Sequence, residues 1–205
     1  MGELTGREKL LDKLRPFMLE KDLKQVLTAY VFAKYGHRGQ ERDSGERYFE
    51  HPRAVAELII DHLKIKDDWQ LITAALLHDI LEDSWLMDED RLERNFEHDV
   101  AIWVKFLTKD KDSKKVYLER LQDAPWQVLM IKLCDRLHNL YSLEGCSIEK
   151  QQKQIDETQK DYYDLCDVLL ERVPEQHKEK AELLRYDIRL VCESHVKRLA
   201  SLLNR

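Results

Sequence analysis

An excess of positive charge is missing from this chain. Its 34 Lys and Arg are outnumbered by 40 Asp and Glu, for a formal net charge of −6. No clean basic block offsets this, so bulk binding to nucleic acid or anionic lipid is excluded. A run of about 20 apolar residues, the length a helix needs to cross a bilayer, is also lacking. The expectation is a cytoplasmic chain that does not span a membrane. The cysteines, Cys134, Cys146, Cys166 and Cys192, show no CxxC spacing and follow no secretory signal, which points to reduced, buried thiols. Convincing strand-like alternation is absent, and so are internal repeats and low-complexity tracts.

Helical periodicity is what the 205 residues do contain, and the expected fold class is all-α. Helices are expected over 7–18, 22–35, 52–63, 69–81, 88–96, 100–107 and 114–121, followed by a long apolar helix opened by Pro125. Gly36, Gly39 and Gly45 interrupt the chain and shape a loop that carries Arg42. Beyond Gly145 the composition becomes highly charged. Two long helices, 148–172 and 175–203, are expected around Pro174, with stripes through Leu165, Val168 and Leu169 and through Leu183, Leu184, Ile188 and Val191. They read as an antiparallel pair packed on the core or on another subunit. The expected division is a core over 1–147 and a helical extension over 148–205.

The segment LITAALLHDILED carries the first chemical signal. In a continuous helix, residues four apart share a face, so His78 would lie under Glu82 and Asp79 under Asp83. Carboxylates at the end of so apolar a helix need a cation or a proton to remain there, and a divalent metal satisfies several at once. The chain supplies a control: His98 and Asp99 repeat the dipeptide, but four residues on stand Ile102 and Trp103. That copy reads as an ordinary amphipathic helix.

A metal site that leaves room for water or substrate takes three or four protein ligands, with imidazole and carboxylate mixed. His51, just before Pro52, is a third candidate, with helix capping as its alternative role. Asp135 is a fourth, with pairing to a neighbouring Lys or Arg as its alternative. Cys134 beside it reads as core, because a helix turns about 100° between neighbours.

The segments GHRGQERDSGERYFEHPRAVAE, AALLHDILEDS, VAIWVKFLTKD and VLMIKLCDRLHNL occur in this order. Together they resemble the HD-domain metal-dependent phosphohydrolases, in particular the hydrolase half of the Rel/SpoT alarmone enzymes and their stand-alone small relatives. The resemblance covers roughly residues 20 to 145 and implies an HD-type helical bundle, here followed by the two long C-terminal helices. It implies His51, His78, Asp79 and Asp135 as ligands of one Mn²⁺, with Fe²⁺ or Zn²⁺ as alternatives. It makes Glu82 and Asp83 the acidic pair that handles the attacking water, although a solvated helix end is their bland reading. Arg42, Ser44, Asn139 and Ser142 fall at nucleotide-pocket positions.

The implied reaction removes pyrophosphate from the 3′ position of ppGpp or pppGpp. Phosphoryl oxygens need positive charge around them. Arg42, Lys132, Arg136 and the lysines Lys109, Lys111, Lys114 and Lys115 are candidates, the lysine run reading mainly as a solvated loop. Two departures bear on substrate choice: Asp43 replaces an often basic residue, and Tyr141 stands where arginine is frequent. Other readings are an HD phosphohydrolase for a different nucleotide, such as the 2′-phosphate of NADPH or ppApp, and a non-catalytic nucleotide- or partner-binding module. The expected partner is a small nucleotide, not nucleic acid or membrane. Association of subunits through the terminal helices is left open.

Overall fold

Short polar residues ahead of apolar runs start many of the helices. Thr5 and Glu8 form a reciprocal capping box, and the side chains of Asp68, Asp88, Ser113 and Ser147 each accept a backbone N–H from the first turn that follows. The computed structural model describes residues 5–84, 86–109 and 113–203, without the side chains of Asp83 and Leu203. Among these residues the regular structure is helical, with no strand. None of the helices is long and apolar enough to cross a membrane. The chain divides into two compact units, Met1–Gln40 with Arg47–Lys111 and Glu41–Glu46 with Asp112–Arg205.

The first unit contains α1 (Gly6–Leu14), α2 (Glu20–Gly36), α3 (Glu50–Glu57), α4 (Trp69–Leu77), α5 (Ile80–Asp83), α6 (Glu89–Asn95) and α7 (His98–Leu107). In α4 every residue from Leu71 to Leu77 is buried. Such a helix has no solvent face and must be surrounded; α2, α3 and α7 all pack on it. Ala29 and Ala33 of α2 and Ala74 and Ala75 of α4 are fully buried small residues. Gly36 closes α2 against α5, where a Cβ would come within 2.5 Å of Ile80 Cδ1 and 2.6 Å of Ser84 Oγ.

The helix expected over 69–81 is not continuous. It ends at Leu77, and Asp79 sits at φ −104°, ψ 1° before the short α5 begins. The cause is local. The His78 ring donates from Nδ1 to the Ala75 carbonyl at 2.8 Å, the oxygen a continuous helix would offer to the Asp79 N–H. The first helix also stops early, at Leu14. Past Glu57 the chain widens into a π-turn over Leu58–His62.

The second unit contains α8 (Lys114–Gln122), α9 (Trp126–Tyr141), α10 (Ile148–Glu157), α11 (Tyr163–Arg172) and α12 (Lys178–Leu203). A π-turn over Thr158–Tyr162 joins α10 to α11, so the helix expected over 148–172 carries a wide turn. The apolar middle of α9 is buried, and α11 and α12 pack on it. The buried face of α12 runs through Ala181, Leu184, Ile188, Cys192, His195 and Leu199. Leu183 of the expected stripe is 39% exposed instead, because the face continues through a cysteine and a histidine that an apolar count leaves out. His195 is held there by donating from Nε2 to the Leu140 carbonyl at the end of α9, 2.9 Å away.

Candidate metal centre

Two helix ends deliver the first unit's polar cluster. Pro52 in the first turn of α3 is compatible with helix, since its missing N–H has no partner to lose there. It leaves His51 at the helix start, 3% exposed. His51 does not cap this helix: Phe49 occupies that position, without a side-chain bond. The break after α4 places His78 and Asp79 against it. The two imidazole rings stand edge to face, 5.1 Å apart between centroids. His78 Nε2 lies 3.2 Å and His51 Nε2 3.7 Å from the same oxygen, Asp79 Oδ2.

The donor chemistry of this cluster fits a cation. A carbonyl only accepts, so the bond to Ala75 places the His78 proton on Nδ1 and leaves the lone pair of the neutral ring on Nε2. That lone pair faces a carboxylate oxygen, itself only an acceptor. Two acceptors 3.2 Å apart repel unless positive charge lies between them. Two imidazole nitrogens and a carboxylate oxygen directed at one region form a donor set suited to Mn²⁺, Fe²⁺ or Zn²⁺. The His78–Ala75 bond is also the kind of support that orients metal-ligating histidines. By contrast, His98 and Asp99 are exposed at the start of α7.

The helical break changes how the acidic residues are presented. His78 and Glu82 do not share one helix, so the expected stacking of His78 under Glu82 does not form. Glu82 is exposed and accepts the backbone N–H of Lys109. The side chain of Asp83, and Lys111, lie outside the described residues.

The remaining expected site residues belong to the second unit, where four of them form a continuous chain of bonds. Arg42 donates to His138 Nδ1 at 3.1 Å and to Asn139 Oδ1 at 2.5 Å. Asn139 donates to Asp135 Oδ1 at 2.6 Å, and Lys132 donates to Asp135 Oδ2 at 2.8 Å. Spacings of three and four residues along α9 put these groups on one face. The loop carrying Arg42 closes through Arg42 N–H to the Glu46 carbonyl and Gly45 N–H to the Arg42 carbonyl. Gly45 there has φ +78°, which glycine adopts without strain. Asp43 pairs with Lys150, whose hydrogen bond and charge hold the Asp43 carboxyl below its usual range.

Other candidates are engaged internally. Arg136 donates to Gln154, lies 3.7 Å from Glu157 and stacks 3.8 Å over the Tyr162 ring. Ser142 donates to the carbonyls of His138 and Asn139, and Ser44 is exposed. Lys114 bridges Glu157 and Asp161. Burial pushes the Cys134 thiol up, with the neighbouring Asp135 charge adding to it, as its reading as core requires. Tyr48 and His37 carried no expectation from the sequence. Tyr48 donates its hydroxyl to Asp79 Oδ2 at 2.9 Å and stacks on His37. The available signal was a tyrosine three residues ahead of a candidate ligand.

The HD domain family model matches residues 29–167. The chain belongs to the HD-domain family. This HD domain is 33% identical over 164 residues to the bifunctional (p)ppGpp synthase/hydrolase SpoT of Escherichia coli K12, a match covering 74% of this chain and 22% of that protein. It is 37% identical over 147 residues to a GTP pyrophosphokinase of Streptomyces coelicolor, covering 66% of this chain and 17% of the other. The chain thus corresponds to about a fifth of the length of these relatives. A solved structure described as a metazoan ortholog of SpoT that hydrolyzes ppGpp superposes with a TM-score of 0.64 and 24% identity, over 78% of this chain and 93% of that one. This likeness supports the HD-type helical fold.

Proposed function

We propose that this HD domain hydrolyses the 3′-pyrophosphate of ppGpp and pppGpp, giving GDP or GTP and pyrophosphate. The observation that carries the reading is the convergence of His51 Nε2 and His78 Nε2 on Asp79 Oδ2. It is supported by the names of relatives 33% identical to this chain over 164 residues. His51, His78, Asp79 and, from the KLCDRLHN motif, Asp135 hold one divalent ion, with Mn²⁺ the first choice. Such an ion lowers the pKa of water and offsets negative charge on phosphoryl oxygens.

In the reaction, a water oxygen forms a bond to the phosphorus carried by O3′, the P–O3′ bond breaks, and O3′ leaves with a proton. Glu82 and Asp83 orient the water and pass on its proton. Arg42, Ser44, Lys132, Arg136, Asn139 and Ser142 form the substrate-binding set, in which Arg42 and Lys132 place positive charge near the phosphates. Asn139, between Arg42 and Asp135, couples the nucleotide loop to a ligand. Residues 1–147 form the hydrolytic core, 148–205 a supporting extension, and the setting is cytoplasmic.

The test is a panel of ppGpp, pppGpp, ppApp and NADPH incubated with the purified chain and Mn²⁺, with products separated by ion exchange. Guanosine substrates should release pyrophosphate, and EDTA should stop it. The carboxylate of Asp43 and the half-exposed phenol of Tyr141, 50% accessible, favour a second reading in which another nucleotide is preferred. Inert ppGpp beside rapid turnover of ppApp or NADPH would replace the first reading with the second.

A further inference from the structure

We propose that Tyr48 is a positioning residue: its hydroxyl fixes the carboxylate oxygen with which Asp79 meets a divalent cation. The inference rests on the metal reading of His51, His78 and Asp79. It concerns a side chain outside that ligand set.

The tyrosine is held from both backbone and ring. Its N–H donates to the Gln40 carbonyl at 2.9 Å, and its carbonyl accepts the His51 N–H at 2.9 Å. One face of the ring stacks on His37, with centroids 4.7 Å apart and planes inclined by 28°. His37 is 2% exposed, and its Nδ1 lies 2.8 Å from Gln40 Oε1, so the stacking partner is itself fixed. The Tyr48 ring also meets that of His51 nearly at right angles, 6.1 Å away between centroids. Little rotational freedom remains for the phenol.

The hydroxyl reaches Asp79 Oδ2 at 2.9 Å. This is the oxygen that both imidazoles approach. A carboxylate oxygen has two lone-pair directions. One accepts the phenol, which leaves the other toward the imidazoles and stops the carboxylate from rotating. Asp79 lies at the break between α4 and α5, where no regular helix constrains its side chain. The tyrosine supplies the orientation that the backbone there does not. Support of this kind behind a metal ligand commonly contributes 10- to 100-fold in metal affinity.

The experiment compares the full chain with Tyr48→Phe and Tyr48→Leu, using Mn²⁺ alone in calorimetric titrations and Co²⁺ alone as a spectroscopic probe. Phenylalanine keeps the ring contacts with His37 and His51 and removes only the hydroxyl. Tyr48→Phe should bind Mn²⁺ about 10- to 100-fold more weakly and shift the visible Co²⁺ bands. The melting temperature of its metal-free form should stay at the parental value. Tyr48→Leu should lose affinity and stability together. A purely structural role would lower the metal-free melting temperature of the phenylalanine variant and leave the Co²⁺ spectrum in place. Parental Mn²⁺ affinity with an unchanged Co²⁺ spectrum in Tyr48→Phe overturns the proposal while leaving the metal site standing. Failure of the parental chain to bind either ion overturns both.

Discussion

Replacing Gly36 by alanine sets two effects of known size against each other. Helix propensity favours the change, because glycine inside a helix costs about 1 kcal/mol relative to alanine. Space opposes it. The new Cβ would stand 2.5 Å from Ile80 Cδ1 and 2.6 Å from Ser84 Oγ, whereas carbon atoms pack at about 3.5–4.0 Å. Roughly 1 Å must therefore be opened between α2 and α5. Neither neighbour yields freely: Ile80 is fully buried, and Ser84 Oγ accepts the Leu86 N–H. Overpacking of this kind costs about 1–3 kcal/mol, so a net loss of about 1–2 kcal/mol is expected after the propensity gain. For a chain of this size that lowers the melting temperature by about 2–8 °C. Because α5 carries Glu82, turnover at 25 °C, where the variant remains folded, should fall as well. Thermal denaturation followed by circular dichroism, with initial rates on the same preparation, measures both. An unchanged or higher melting temperature would refute the argument that contact outweighs propensity here.

His51→Ala and Asp79→Ala should each abolish Mn²⁺ binding in titrations and hydrolysis with it. Glu82→Ala should keep the metal and slow turnover by about 10²- to 10⁴-fold, the usual contribution of a general acid or base; parental turnover would remove Glu82 from the reaction. Arg42→Ala should raise KM by about tenfold, equivalent to 1.4 kcal/mol, with little change in kcat, as steady-state kinetics would show. Thr5→Ala should destabilise the chain by about 1 kcal/mol through loss of the α1 cap, measured by urea denaturation. The cap also has a pH signature: hydrogen bonds from the Thr5 backbone and side chain lower the Glu8 pKa from 4.5. Its stabilisation is present above that value and declines as pH falls through the lowered one, a loss that should be absent in Glu8→Gln.

The helical class and the contrast between the two His-Asp dipeptides were legible because burial and period depend on local pattern. His98 was excluded by the apolar residues that follow it, and it is exposed. The row expected from His78 to Glu82 failed for a side-chain reason. A histidine bonded to the carbonyl three residues back ends the helix, and no count of apolar positions registers that competition. Tyr48 escaped notice because its role depends on a partner 31 residues away. Arg136 was read as a candidate cation for the phosphates, and its partners Gln154, Glu157 and Tyr162, which the sequence did not point to, come from a region past the recognised motifs. The face of α12 was misjudged by one position because Cys192 and His195 serve as buried residues there.

The setting of Arg136 also governs where this chain tolerates trimming. Arg136 is 5% exposed, and its hydrogen bond to Gln154, its ion pair with Glu157 and its ring contact with Tyr162 all come from residues 154–162. A protein cut after Gly145 would retain the cation and discard its hydrogen bond, its ion pair with Glu157 and its ring contact with Tyr162. Shortened versions ending at Gly145 should therefore aggregate or lose metal binding even though every motif residue is still encoded. The charged tail is a foundation for α9, and deletion libraries should find their first tolerated endpoint beyond Tyr162.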